Sequence, residues 1–302
     1  MKHWEHTEVV DTPTYKEFLQ FGTPIVPEAS LPLNTAVYVV CEGGSKALEG
    51  IYDKTVDGIR PLKDTKAPNR DLRLYKDAIQ SEHITVLAVD GLMGTGKTST
   101  IVEALIKKHL SNVHVPDHLL ASGNWKPDPD VHKILISKPA VNAGEEEYGF
   151  LPGDINEKMI PTLRNYTQYF DRNHQAGFNN LNTAGYVEVL PLGFVRGMDA
   201  MNTDLVVDEC QNTKELVTIV SRRAENSRIF LIGDTSPFQI DLKGNAPTKN
   251  GLSDIIDLLQ GAPYFQYIEM KSLENIVRSY EVRDLVRRLF KKHGSNPQEW
   301  RS

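Results

Sequence analysis

The stretch His83-Ile84-Thr85-Val86-Leu87-Ala88-Val89-Asp90-Gly91-Leu92-Met93-Gly94-Thr95-Gly96-Lys97-Thr98-Ser99-Thr100 decides the fold. Its apolar run, Ile84 to Val89, reads as a buried strand. The run breaks at Gly91, and an amphipathic helix starts near Lys97. Between them stands Gly91-x-x-x-x-Gly96-Lys97-Thr98, the phosphate-binding loop pattern in its strand–turn–helix setting. Glycine admits backbone angles that side chains forbid, so N–H groups can close on a phosphate. The helix N-terminus adds unpaired donors and partial positive charge. Lys97 is placed to reach β- and γ-phosphates, and the Thr98 hydroxyl to complete a Mg²⁺ shell. Nucleotide contacts are therefore expected at Gly91, Met93, Gly94, Thr95, Gly96, Lys97, Thr98 and Ser99.

Outward from this loop the chain alternates strands and helices. Asn69 to Gln80 predicts a helix with Leu72, Tyr75 and Ile79 on one stripe, leading into the loop strand. After the loop, Ile101, Leu105 and Leu110 mark the face that packs on a sheet. Ile134-Leu135-Ile136 predicts a second core strand, and Leu205-Val206-Val207 a third that ends in Asp208 and Glu209. Ile229 to Ile232 predicts a fourth, ending at Gly233-Asp234, and residues 265–270 a fifth. Leu216, Val217, Val220 and Ala224 are expected to stripe the helix after the third strand. Such alternation implies an α/β fold with a mainly parallel, helix-covered sheet. Its ligands belong at the C-terminal ends of the strands.

Residues 1–60 read differently. Thr12, Pro13 and Gly22 frame one short helix. Ala36 to Cys41 predicts a strand, and Glu49 to Asp53 can pair back across a Gly43-Gly44-Ser45 turn. This is a small N-terminal β appendage; 61–302 form the catalytic domain, with 61–70 as a linker. Residues 111–130 read as a loop around Trp125, a partly buried anchor or a base-stacking ring. Residues 165–186, rich in Asn and aromatics, read as a mobile surface excursion or a polymer contact.

The 302 residues are 40% hydrophobic and 25% charged, enough for a packed core. A net charge of −6 argues against non-specific coating of nucleic acid but allows a local basic groove. Cys41 and Cys210 are the only cysteines and give neither zinc spacing nor a disulfide framework, so a cytoplasmic setting is expected. No apolar run approaches membrane-spanning length, so no membrane partner is expected.

Hydrolysis of a nucleoside triphosphate needs a cradle, a metal, a positioned water and charge neutralisation. Asp208 closes an apolar strand, where a metal-orienting carboxylate belongs, and Glu209 beside it can polarise the attacking water. Asp234 is placed to sense the γ-phosphate or orient that water. Arg196 and Arg278 are the candidates for neutralising charge; the sequence does not choose between them. A helix near 279–292 carries Val282, Leu285, Val286, Leu289 and Phe290 on one stripe. Arg283, Arg287, Arg288, Lys291 and Lys292 lie on its other faces, as phosphate-backbone contacts or as a solvated surface.

Together these residues resemble the PhoH-like ATPases, a P-loop family related to the superfamily 1 helicase core. The resemblance runs from about Asn69 to Lys292. It rests on Gly94-Thr95-Gly96-Lys97-Thr98, Lys138-Pro139-Ala140 with Ala143-Gly144-Glu145, and Gly149-Phe150-Leu151-Pro152-Gly153-Asp154 with Glu157-Lys158. It also rests on Phe194-Val195-Arg196-Gly197, Asp208-Glu209-Cys210-Gln211-Asn212, Gly233-Asp234 with Gln239-Ile240-Asp241-Leu242, Asn250-Gly251-Leu252 and Ile276-Val277-Arg278. The early β segment is similar to one that precedes the ATPase core in members fused to a PIN nuclease; no such nuclease is expected here. The resemblance implies a RecA-like P-loop NTPase core, Mg²⁺-dependent ATP hydrolysis, coupling to RNA or single-stranded DNA as a helicase or otherwise, and in some members a ring homo-oligomer. It implies a phosphate-sensing role for Gln239.

Three positions depart from the family pattern. Lys138 replaces a common arginine, two extra residues separate Asp234 from Gln239, and Asn69 to Tyr75 holds no adenine-reading glutamine. A P-loop kinase acting on a nucleoside or other small substrate, and a nucleotide-gated assembly module, are the competing readings.

Overall fold

The computed structural model describes residues 3–63, 66–116, 121, 125, 128, 130–139, 164–195, 201–240, 245–246 and 249–293. Several of the family-like segments fall outside them: Ala140 to Glu145, Gly149 to Asp154 with Glu157 and Lys158, Arg196 with Gly197, and Asp241 with Leu242.

The chain opens with β1 (Thr7–Val10), α1 (Thr12–Phe21), β2 (Ala36–Cys41), β3 (Ala47–Asp53) and β4 (Gly58–Pro61). These strands form one sheet in the order β1-β2-β3-β4, with β1 parallel to β2 and the rest antiparallel. The cap of α1 is Asp11, one residue before Thr12, because its carboxylate accepts from Thr14 N at 2.9 Å. β1 and β4 were not expected; each is only four residues long, too short for alternation to show.

The main unit follows: α2 (Arg70–Gln80), β5 (Val86–Gly91), α3 (Lys97–Leu105), β6 (Lys133–Lys138), α4 (Arg164–Asn173), α5 (Gly177–Thr183) and β7 (Val187–Pro191). After these come α6 (Leu192–Val195), β8 (Thr203–Val207), α7 (Leu216–Val220), β9 (Arg228–Gly233), α8 (Gly251–Leu259), β10 (Phe265–Met270) and α9 (Tyr280–His293). The six strands run in the order β10-β5-β9-β8-β6-β7, every neighbouring pair parallel. β5, β8 and β9 are buried along their whole length, as continuous apolar runs between helical layers require.

The loop strand ends two residues later than expected, because buried Asp90 finds partners that keep the ladder going. Its Oδ1 lies 2.9 Å from Lys271 Nζ, and Thr235 donates to both oxygens. The stretch read as a linker is packed instead: Leu62 and Ala67 belong to one core cluster with Trp4, Ala36, Ile51, Leu87 and Ile268. Arg60 of β4 also forks onto Asp77 of α2 at 2.8 and 2.9 Å. The two sheets therefore share an interior.

Two further expectations are corrected. Residues 165–186 are not an excursion: Tyr166, Phe170, Phe178 and Leu181 are buried in α4 and α5 against the helix that follows the loop. Tyr166 and Phe170 are spaced i, i+4, a stripe masked by the polar residues around it. α7 is one short turn with Leu216 and Ile219 inside, while Val217 is 50% exposed. The chain turns through Ser221 to Arg223 before a longer stripe can form. Trp125 is an anchor: its Nε1 donates to Ala184 O at 3.2 Å, and its ring meets Tyr186 edge-on.

Candidate nucleotide site

Gly91 closes β5, and α3 begins at Lys97 with Gly96 as its N-cap. Gly94 and Gly96 have φ of +80° and +81°, a left-handed region costly to a side chain. Thr95 is fully buried, with Oγ1 donating to Leu92 O at 2.8 Å. Met93 packs against the small cluster of Leu92, Ile276 and Val286. Ser99 Oγ donates to Gly96 O at 3.1 Å. Lys97 turns back along the loop: its Nζ donates to Gly91 O, and to Leu92 O at 3.0 Å. Tyr75 fixes the loop from α2, donating to Lys97 O at 3.1 Å.

β8 brings the carboxylates to this loop. Asp208 N donates to Ser137 O at 2.9 Å, which ties the strand end to β6. Thr98 Oγ1 donates to Asp208 Oδ2 at 3.2 Å, so residues 110 apart in sequence meet. Tyr166 donates its hydroxyl to the same oxygen. Burial raises the Tyr166 pKa well above its ordinary value, the Asp208 charge adding to it, so the hydroxyl stays a donor. A threonine hydroxyl facing a carboxylate oxygen is the hard-oxygen donor set that magnesium takes, so Thr98 and Asp208 fit that ion.

Glu209 follows at φ +57°, the left-handed region, which a glutamate adopts only when its surroundings force it. Burial raises its pKa, and the Asp208 charge raises it further; a Gln211 hydrogen bond, Lys138 and Lys97 pull the other way. A carboxylate beside a phosphate loop with a pKa shifted towards neutrality is suited to accepting a proton from water.

β9 adds Asp234, only 4% exposed. Its Oδ1 accepts from Ser236 N at 3.0 Å and lies 3.6 Å from Lys271 Nζ. Its Oδ2 is buried with no hydrogen-bond partner among the described residues, a state that a buried acceptor rarely keeps away from a functional site. Gln239 ends the short turn Pro237–Gln239, its carbonyl 3.0 Å from Gln211 Nε2. Arg278 is exposed, but its Cβ would lie 3.4 Å from a Cβ built on Gly94, so it stands beside the loop. Arg196, the other arginine candidate, lies outside the described residues.

Two residues were missed. Gln211 is fully buried and bridges the site: Nε2 donates to Glu209 Oε2 at 2.7 Å and to Gln239 O, while Oε1 accepts from Asp234 N at 3.0 Å. It lies in the quoted Asp208-to-Asn212 block, and a polar residue two places after a carboxylate pair was the available signal. Tyr166 was hidden in the segment read as an excursion, its i, i+4 aromatic partner the only hint.

A parallel α/β sheet, a glycine loop with its lysine and threonine, and a carboxylate pair on a neighbouring strand define a P-loop NTPase. A family model described as PhoH-like protein matches residues 124–290. The chain belongs to that family. It is 32% identical to a PhoH-like protein of Mycobacterium tuberculosis (strain ATCC 25618 / H37Rv), over 70% of this chain and 54% of the relative. It is 30% identical to a PhoH-like protein of Bacillus subtilis (strain 168), over 74% of this chain and 63% of the relative. The chain thus spans somewhat more than half the length of these relatives. Among solved structures it is similar to the large terminase of a thermophilic bacteriophage in complex with ADP, at a TM-score of 0.44 and 7% identity, covering 74% of this chain and 50% of the terminase.

Proposed function

We propose that the chain hydrolyses ATP with magnesium and couples that hydrolysis to RNA or single-stranded DNA. The single observation that carries this reading is the meeting of Thr98 with Asp208, with Glu209 next in the chain. Lys97 and the loop N–H groups bind the β- and γ-phosphates of the substrate, Lys97 exchanging its carbonyl partners for phosphate oxygens. Magnesium, when bound by Thr98 and Asp208, neutralises charge on the phosphates. Glu209 accepts the proton of the attacking water and is held in place by Gln211. Asp234 and Gln239, both tied to that same glutamine, sense the γ-phosphate. Arg278, beside the loop, neutralises developing charge, from its own chain or from a neighbour in a ring.

The nucleic-acid half of the proposal draws on α9, where Arg287 and Arg288 have exposed side chains and Lys291 and Lys292 close the helix. Asp284 partly offsets the two arginines. Contact through these groups predicts affinity that falls steeply with salt. Residues 61–302 are proposed as the catalytic unit and the cytoplasm as its setting; no helix among the described residues is long and apolar enough to cross a membrane.

The test is steady-state phosphate release from Mg·ATP by wild type and Lys97→Ala, with and without single-stranded RNA, single-stranded DNA and duplexes. Stimulation by one polymer and loss in Lys97→Ala support the proposal. Label transferred to a nucleoside indicates the kinase reading. Slow turnover indifferent to polymer but linked to oligomer size indicates the assembly module.

A further inference from the structure

Asp71 sits in the first turn of α2, where a carboxylate is ordinarily a solvated partner of the helix dipole. Here both of its oxygens are taken by distant donors. Oδ1 accepts from Trp4 Nε1 at 2.8 Å, 67 residues away, and Oδ2 from Asn275 Nδ2 at 2.8 Å, 204 residues away. Its side chain is only 15% exposed. Trp4 belongs to the N-terminal sheet region: its N–H donates to Ala36 O at 2.9 Å, its ring packs on Tyr38, and Arg70 lies over it. Trp4 holds φ +67°, a conformation an aromatic residue keeps only under such packing.

Asn275 leads to the phosphate loop. It is buried, and its Oδ1 caps Ser272 N at 3.0 Å. Two residues on, Val277 N donates to Gly94 O at 3.0 Å. A Cβ on Gly94 would lie 3.3 Å from Ile276 Cγ2 and 3.1 Å from Val282 Cγ1, so loop and segment touch without slack.

We infer that Asp71 is a positioning residue for the phosphate loop: it clamps Asn275, and with it residues 275–278, onto Gly94, and takes its own anchor from Trp4. The N-terminal sheet thereby regulates how firmly the loop is held. Its consequence for nucleotide grip rests on the nucleotide reading above, whereas the clamp itself does not. Trp4, Asp71 and Asn275 touch no phosphate; they act by fixing the backbone that does.

The test uses the full chain without ligand. Amide hydrogen exchange is followed at Val277 and across residues 92–97 in wild type, Asp71→Ala, Asn275→Ala and the double variant. The clamp predicts exchange about tenfold faster at these amides in Asp71→Ala, with β8 and β9 unchanged. It also predicts that the double variant is no faster than Asn275→Ala alone. Unchanged exchange at Val277, or effects of the two substitutions that add, overturns it. Trp4→Phe keeps an aromatic ring at the position but loses the N–H donor together with the pyrrole half of the indole, and it serves if Asp71→Ala does not fold; about threefold faster exchange at Val277 is expected, and none refutes the anchor. Equilibrium titration with Mg·ATP then reads the grip, with an expected five- to tenfold loss of affinity, roughly, in Asp71→Ala. If wild type and Lys97→Ala bind Mg·ATP equally, the nucleotide reading fails while the exchange result still decides the clamp.

Discussion

At the start of β8 Asp204 is surrounded by donors: His109 and His132 each place Nε2 3.0 Å from one oxygen, and Arg228 adds Nη2 at 2.8 Å and Nε at 3.3 Å. Arg228 also donates to Ile79 O at 2.7 Å, and the two imidazoles stack with centroids 4.3 Å apart. Burial alone would raise the Asp204 carboxyl, but these donors outweigh it and hold the group well below the usual carboxylate range. At the other end of the same strand Asp208 and Glu209 lie side by side, Glu209 in left-handed backbone with its pKa raised. Nearby, Asp234 Oδ2 has no hydrogen-bond partner among the described residues. The first end spends its polar groups on each other and ties β8, β9, α2, the turn that holds His109 and the residue just before β6 together. The second pairs its carboxylates less completely: Glu209 stays strained and raised in pKa although Gln211 donates to it, and Asp208 has only Thr98, Tyr166 and the Glu209 N–H as donors among the described residues. His109, His132 and Asp204 could offer ligand atoms to a cation, yet the carboxylate is already satisfied by Arg228 and the imidazoles.

The largest expected effect falls at the satisfied end. Asp204→Ala leaves Arg228 buried without its partner and should cost about 3–5 kcal/mol of stability. Thermal unfolding should show a midpoint lower by on the order of 10 °C. Asp208→Ala should lose less than half as much stability yet reduce Mg·ATP turnover about a hundredfold or more. Equal stability losses at the two positions would erase the contrast.

The pH dependences should have opposite signs. Burial lowers the His109 pKa from 6.5 despite the pull of Asp204, so its contribution is present above that value and lost as pH falls through the lowered one. The raised Glu209 pKa contributes stability below 4.5, lost as pH rises through the raised value. In urea unfolding, His109→Gln should flatten the loss of stability as pH falls below 6.5. Glu209→Gln should gain on wild type as the medium goes from acid to neutral. The smallest effect is expected for Tyr166→Phe, which removes one donor from Asp208 and should change stability by about 1 kcal/mol or less while weakening retention of magnesium-bound nucleotide.

The parts of the molecule that were legible in the sequence are those set by local pattern. The phosphate loop, the strand that leads into Asp208 and the helix that starts near Asn69 each carry their own signal within a few residues. What was illegible depends on distant partners. Asp90 extends its strand only because Lys271 and Thr235 arrive from elsewhere. Tyr166 matters only because α4 lies over the end of β8. Gln211 sits in a quoted motif, but its bridging role exists only once Gln239 and Asp234 fold against it. The Asp204 knot joins five segments, none of which announces the others.

The most direct test of whether the Asp208–Glu209 end of β8 is a hydrolytic site is a paired measurement on wild type and Glu209→Gln: nucleotide retained under magnesium, and phosphate released from it. The predicted result is that both proteins hold Mg·ATP and only wild type converts it to ADP and phosphate. Equal phosphate release by the two proteins, or no nucleotide held by either, would contradict the account.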